Sequence, residues 1–325
     1  MLDRILAALR TRPWLFAALL AVGLLVANTF AQPDFGKPSN WPTELATMAP
    51  LVLVAFASTP AIVSGGGGLD LSVGPLAVMI NVILIQTLLP HGIDTFWTAM
   101  PVLIALGAAV GAINGILVSY LRYVPVIATL CMTFVITGIN LKVGGTSHAV
   151  GNNWTRDFAG QVGVIPGALI LVGIPVLLWM GLSRTSYHRT LYATGGNDVT
   201  AFSAGVDVAK ARVIAYATGG VFAAFAGVAL TALVQSSQAS STSYYILVGL
   251  TAVALGGTPL FGGRGGLTGA FFGGAVLYLI QSLLSSLSVP PDWLNIVYGS
   301  LLMVGVLVGA ALALSRPARL RRGTA

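Results

Sequence analysis

YATGGNDVTAFSAGVDV, from Tyr192 to Val208, is a polar passage set between two apolar runs, Val164 to Leu182 and Val213 to Leu233. A bilayer crossing takes roughly 20 apolar residues, so both flanking runs read as spans and the passage between them as a place where an embedded chain meets water. Composition agrees with that reading. Hydrophobic residues make up 56% of the chain and charged ones 8%, with a mean hydropathy of +0.90, and a soluble domain cannot cover its surface with so few polar groups. The expected fold is all-α and polytopic, a single membrane domain over 1–325. That length accommodates about ten spans and no soluble enzymatic head.

Outward from the central passage, the apolar runs in the first half are Trp14 to Ala31, Leu45 to Val63, Leu71 to Leu89, Pro101 to Tyr120 and Val124 to Leu141. The second half adds Tyr245 to Leu260, Leu267 to Leu287 and Trp293 to Leu314 to the two flanking runs. Ten spans put both termini on one side. Short loops rich in Lys and Arg stay in the cytoplasm, and with the N-terminus inside, the inner segments hold Arg4, Arg10, Arg12, Arg122, Arg184, Arg189, Lys210, Arg212, Arg264, Arg316, Arg319, Arg321 and Arg322. Only Lys37, Lys142 and Arg156 fall outside. The same asymmetry accounts for the net charge of +7 through topology and contact with anionic lipid, without a nucleic-acid partner. Arg10 and Arg12 before an apolar run also fit a secretory signal, but VANTFAQP lacks a clean pair of small residues for cleavage, so an uncleaved first helix is expected. Five spans per half, about 1–150 and 151–325, permit a weak repeat of inverted orientation.

Two glycine clusters interrupt this pattern. Four consecutive residues, Gly65, Gly66, Gly67 and Gly68, cannot hold a regular helix well, since each costs about 1 kcal/mol of propensity relative to alanine. Leu69-Asp70-Leu71-Ser72-Val73-Gly74-Pro75 follows, where Asp70 or Ser72 is able to cap the next helix and Pro75 is tolerated in its first turn. A carboxylate at the bilayer centre costs roughly 2.5 to 3.5 kcal/mol, which leaves Asp70 two roles: a capping anchor, or a group facing a substrate or a proton. Asp70, Ser72 and Asn114 form the candidate substrate pathway, and Thr133, Asn140, Gln235 and Gln281 are further polar candidates that equally suit interhelical hydrogen bonds. The second break contains Gly262, Gly263 and Gly265 around Arg264, which reads as a cytoplasmic turn or as a basic contact for an acidic partner or phospholipid.

Several chemistries are missing. A phosphate-binding loop needs Lys after Gly at a helix start, and Lys37, Lys142 and Lys210 fail that test. His91, His148 and His188 stand on separate loops without an HExxH pattern, so no metal site is expected. Cys131 lies alone in an apolar run and reads as a small packed hydrophobe. Ion-coupled carriers bury ionisable groups along their path, whereas these spans hold little charge beyond Asp70. Moving a two-state carrier from 1:99 to 99:1 takes about 5.5 kcal/mol of differential binding, so an external engine is the economical expectation.

The polar passage has the parts of a surface handle. Gly195 and Gly196 read as a flexible entry, Asn197 or Asp198 as N-cap, Val199 to Ala204 as one or two helical turns, and Gly205 as the stop. Val199, Phe202 and Val206 share one small apolar face, and so short a helix needs a docking surface to be stable.

The pattern Gly195-Gly196-Asn197-Asp198, then Gly205-Val206-Asp207-Val208 and Lys210, resembles the coupling loop of the ribose-type permeases of bacterial ABC importers. The LDLSVG segment (Leu69 to Gly74) and the LFGGRGG segment (Leu260 to Gly266) are similar to that family too, in the same order and over essentially the whole chain. The resemblance implies a non-catalytic transport subunit of the bacterial inner membrane, working as a homodimer or heterodimer of permeases. It further implies a cytoplasmic ATPase pair that binds the ATP and Mg, and an extracytoplasmic binding protein that delivers a monosaccharide or polyol. In that family the loop after the sixth span enters a cleft of the ATPase, which maps here to Gly195 through Gly205, Phe202 included. Val199-Thr200 and Ala204 depart from the Ala-Ala and Ser that are frequent there, which bears on which ATPase is accepted. The alternative reading is a proton-coupled secondary carrier using Asp70.

Overall fold

The computed structural model describes residues 12–145, 151, 153–240 and 242–314; Arg4, Arg10, His148, Arg316, Arg319, Arg321 and Arg322 lie outside the described residues. The described chain is helical almost throughout, with α1 (Trp14–Ala31), α2 (Trp41–Val63), α3 (Val73–Ile83), α4 (Phe96–Ser119) and α5 (Pro125–Gly144) in its first half. A short α6 (Thr155–Ala159) and a two-residue antiparallel pair, β1 (Gln161–Val162) with β2 (Ile165–Pro166), then lead to α7 (Gly167–Ser183). The second half continues with α8 (Ser186–Gly196), α9 (Asp198–Ser203), α10 (Val208–Val234), α11 (Thr242–Leu255), α12 (Leu267–Ser286) and α13 (Trp293–Leu314).

Among the described residues, seven helices are long and apolar enough to cross a membrane, or eight if the bent pair α7–α8 is one span. Residues 243–255 and 293–307 form apolar helices too short to count as spans by the same measure, so the polytopic helical class holds and the expected count of ten is not reached among the described residues. The run expected over Tyr245 to Leu260 ends as helix at Leu255. Gly256 lies against the backbone of Gly269, and Gly257 takes φ +79°, a conformation that ends a helix.

Helix α10 lies at the centre, packed on α2, α3 and α4. Without a hydrophobic drive between helices in lipid, small residues set how closely backbones approach. Gly107, Gly111 and Gly115, spaced by four, form one ridge on α4. A Cβ added at Gly111 would lie 2.8 Å from the Tyr216 carbonyl carbon, and one at Gly115 would lie 2.6 Å from Val213 Cα. Tyr216, Phe222 and Phe225 of α10 are fully buried. Helix α2 carries Pro50 and Pro60 in its interior, and beside Pro60 the Ser58 and Thr59 hydroxyls donate back to Val54 O (3.1 Å) and Ala55 O (2.7 Å). Such breaks are tolerated where side chains and neighbouring helices surround the backbone.

The periphery is apolar and open. Asn28 Nδ2 of α1 donates to Leu279 O of α12 (3.0 Å) and Gln32 Nε2 to Ser282 Oγ (3.1 Å), while Leu19, Val22, Leu25, Val26 and Phe30 stay exposed. On α5, Leu130, Phe134, Val135 and Ile139 are exposed as well. Cys131 is exposed beside them, which corrects the expectation of a packed thiol: α5 turns that face away from the rest of its own chain. Apolar surface of this extent suits lipid or a partner.

Candidate functional site

The polar passage leaves the membrane domain through an elbow. Helices α7 and α8 meet at 86° across Arg184 and Thr185, so α8 runs across the end of the helix it follows. The sequence suggested no helix over Ser186–Gly196; its Tyr and His residues lower the apolar score, yet Leu191 is fully buried and His188 packs against Trp179 and Tyr192.

Gly195 and Gly196 are the last two residues of α8, not the flexible entry that their composition suggested. At Gly195 three backbone segments meet. A Cβ added there would lie 2.6 Å from Gly263 N, and one added at Gly65 would lie 2.6 Å from Gly195 Cα. One at Gly262 would lie 2.6 Å from Gly65 N, and one at Gly263 would lie 2.8 Å from Gly196 Cα. Gly263 N–H also donates to Val63 O at 3.0 Å, and Tyr192 Oη donates to Gly265 O at 2.7 Å. Gly65, Gly66, Gly67, Gly262, Gly263 and Gly265 all have positive φ, whereas Gly68 does not and instead lies against the Ala61 carbonyl. The two glycine breaks and the end of α8 therefore form one junction with no side chain between the strands of backbone.

Helix α9 stands directly on this junction. Asn197 caps it, its Oδ1 accepting from Thr200 N–H at 2.9 Å, and Gly205 turns the chain out of it at φ +81°. Val199 and Phe202 are each 72% exposed, so the small apolar face faces outward and has no cover within the described chain. Asp198 is tied back to the domain: Arg212 Nη2 of α10 reaches its Oδ2 at 3.2 Å. The Arg212 guanidinium lies against Gly66, whose added Cβ would come 2.7 Å from Cζ. Arg212 thus joins α9, the first glycine break and the central helix.

At the other end of the same break, Asp70, Ser72 and Asn114 come together, all buried. Asp70 Oδ1 accepts from Ser72 N–H (2.9 Å) and Ser72 Oγ (2.7 Å), with Asn114 Nδ2 at 3.4 Å; Asn114 Nδ2 also donates to Ser72 Oγ at 2.7 Å. Ser72 occupies the N-cap position of α3 without a side-chain cap bond, and Asp70 accepts from Ser72 N–H and not from an N–H inside the helix, so its bonds fix the turn that leads into α3. Burial raises the Asp70 carboxyl above the ordinary carboxylate range, against the hydrogen bonds from Ser72 and Asn114 that lower it. Thr129 Oγ1 of α5 donates to Leu69 O at 3.1 Å, and Asn114 Oδ1 and Tyr216 Oη are buried without a partner among the described residues. Tyr216 follows Arg212 by one turn of α10.

Reasoning from sequence missed Arg212, Tyr192 and Tyr216. Arg212 counted only towards the charge bias, though a cation just inside an apolar run, downstream of a surface acid, is a signal for an ion pair.

The family described as branched-chain amino acid transport system / permease component matches residues 43–307. The ribose import permease protein RbsC of Bacillus subtilis is 31% identical over 295 residues, covering 88% of this chain and 89% of that protein. RbsC of Escherichia coli K12 is 30% identical, covering 92% of this chain and 95% of that protein. The fructose import permease protein FrcC of Rhizobium meliloti is 31% identical, covering 81% and 76%. No solved structure matches the chain. A match over most of the sequence, on a polytopic helical domain with a capped helix standing at its membrane exit, makes this chain a member of the branched-chain amino acid transport system / permease component family.

Proposed function

We propose that this chain is the translocation subunit of an ATP-binding-cassette importer in the bacterial inner membrane, carrying a monosaccharide or similar small polyol. Two permease copies, or two related permeases, enclose the path, and an extracytoplasmic binding protein delivers the substrate. ATP and Mg bind a separate cytoplasmic ATPase, and the permease contributes no catalytic residue. Both termini face the cytoplasm, as does α9.

The observation that carries this reading is the combination at α9: an exposed apolar face, Val199 and Phe202, rooted through the glycine junction and the Arg212–Asp198 pair. Close backbone contacts transmit displacement because no side chain between them is able to change rotamer and absorb it. A push on α9 therefore moves the end of α2, the break before α3 and the turn before α12 together. The 5.5 kcal/mol or so needed to reverse a two-state carrier enters through that contact. Relatives named for ribose and fructose import support a sugar substrate, and the three hydrogen bonds accepted by Asp70 suit an anchor between α3 and α4 better than a proton carrier.

Purification of the full chain from its native membranes under mild detergent tests the assembly. The expected companions are an ATPase and a second permease chain, and the ligand of the binding protein then names the substrate. Recovery of an active transporter with no ATPase would remove the proposal.

A further inference from the structure

A cavity of about 520 Å³ opens between α1, α2 and α12. Its walls are apolar: Val22 and Leu25 from α1, Met48 from α2, Ala275 from α12. Three polar side chains line it, Thr29, Glu44 and Tyr278; the Thr29 hydroxyl donates to Leu25 O within α1, and the Tyr278 hydroxyl donates to Glu44 Oε2. Trp41, one turn before Glu44, is exposed at the mouth, the position favoured by aromatic residues at the level of lipid headgroups.

We propose that this cavity is a binding site for a phospholipid with a primary ammonium headgroup, phosphatidylethanolamine being the common example, with one acyl chain in the cleft and the ammonium on Glu44. Three observations converge. Among the described residues Glu44 forms no ion pair with Lys or Arg, the only such pairs being Lys37 with Asp34 and Arg212 with Asp198. Tyr278 occupies only one of the four lone-pair positions of a carboxylate, leaving the others for a cationic donor with several N–H groups. The volume lies within the range of small-molecule sites, and the cleft's outer wall is the exposed apolar face of α1. The first-turn position of Glu44 in α2 lowers the cost of its charge there and leaves the headgroup contact available. An anionic headgroup without an amine meets a carboxylate at the same place and is repelled.

The test is native mass spectrometry of the full permease, delipidated in detergent and incubated with equal amounts of phosphatidylethanolamine and phosphatidylglycerol of matched chains. The wild type is expected to retain the ethanolamine lipid in preference. Glu44→Gln, which keeps an acceptor for Tyr278, is expected to reduce that preference by about fivefold, the size of a modest ion pair. Val22→Trp, at an exposed wall position, is expected to lower retention of both lipids by filling the cleft, with the elution profile of the folded protein unchanged. Equal retention of the two lipids by the wild type, or an unchanged preference in Glu44→Gln, overturns the proposal.

Discussion

Gly195 and Gly196 are adjacent, end the same helix, and have negative φ, yet they stand in opposite surroundings. An alanine Cβ at 195 lies 2.6 Å from Gly263 N and 3.0 Å from Gly263 Cα, while one at 196 meets nothing within 4 Å. Favourable carbon contacts begin near 3.5 Å and the added Cβ also runs into Val63 O, so Gly195→Ala forces backbone apart by about 1 Å or more, and overpacking of this kind costs about 1–3 kcal/mol. Alanine returns at most about 1 kcal/mol of helix propensity at either position. The net expectation is about 1–2 kcal/mol of destabilisation for Gly195→Ala, and between zero and about 1 kcal/mol of stabilisation for Gly196→Ala. Heating the two purified variants at one scan rate, followed by tryptophan fluorescence, reads the difference. A single rate is needed because such unfolding is often irreversible. Gly195→Ala is expected to melt several degrees below Gly196→Ala and, in proteoliposomes with the ATPase, to import less substrate per ATP hydrolysed. Equal melting and equal coupling would refute the idea that the glycine junction is a backbone contact that transmits motion.

Phe202→Ser on α9 removes apolar surface that is 72% exposed among the described residues, so stability is expected to change by less than about 0.5 kcal/mol while ATPase co-purification falls, which pull-down and unfolding together check. Removing Arg212 and Asp198 singly and together in a double-mutant cycle is expected to give a coupling of about 0.5–1 kcal/mol, since Asp198 is about half exposed, with Arg212→Ala costing more on its own because its guanidinium also packs on Gly66. On the α4 ridge, Gly111→Leu is expected to cost more than about 2 kcal/mol and to lower the amount of folded protein in membranes, whereas Gly138→Ala, with nothing within 4 Å, is neutral or mildly stabilising. The raised Asp70 pKa means that between its unfolded and folded values the native state binds more protons, so stability falls as pH rises through that window; Asp70→Asn is expected to flatten this dependence in unfolding measured upward from about pH 4.

The membrane class and the span positions were legible because each apolar run answers to the bilayer alone, residue by residue. Helix α9 was legible for a similar reason, since Asn197 and Gly205 act through local backbone geometry. What escaped was long-range. Nothing in SGGGGLD, in YATGG or in LFGGRGG states that the three lie against one another, because a glycine records only the absence of a side chain and not the neighbour that requires it. Asp70 and Asn114 were both marked as polar residues of interest, and their hydrogen bond through Ser72 depends on how closely α4 approaches the break, which the Gly107, Gly111 and Gly115 ridge decides. Helix α8 was lost because only Leu191 and Thr194 of it are buried, with Tyr187, His188 and Tyr192 half-buried beside them, so no apolar period announces it.

The central claim is that an ATPase working through α9 drives this permease. Uptake by proteoliposomes holding the permease and its ATPase, with binding protein and sugar outside and ATP inside, tests it most directly when a protonophore is added. Uptake is expected to require ATP hydrolysis, to persist with the proton gradient collapsed, and to be lost on omitting the ATPase. Uptake driven by an imposed proton gradient without the ATPase would contradict it.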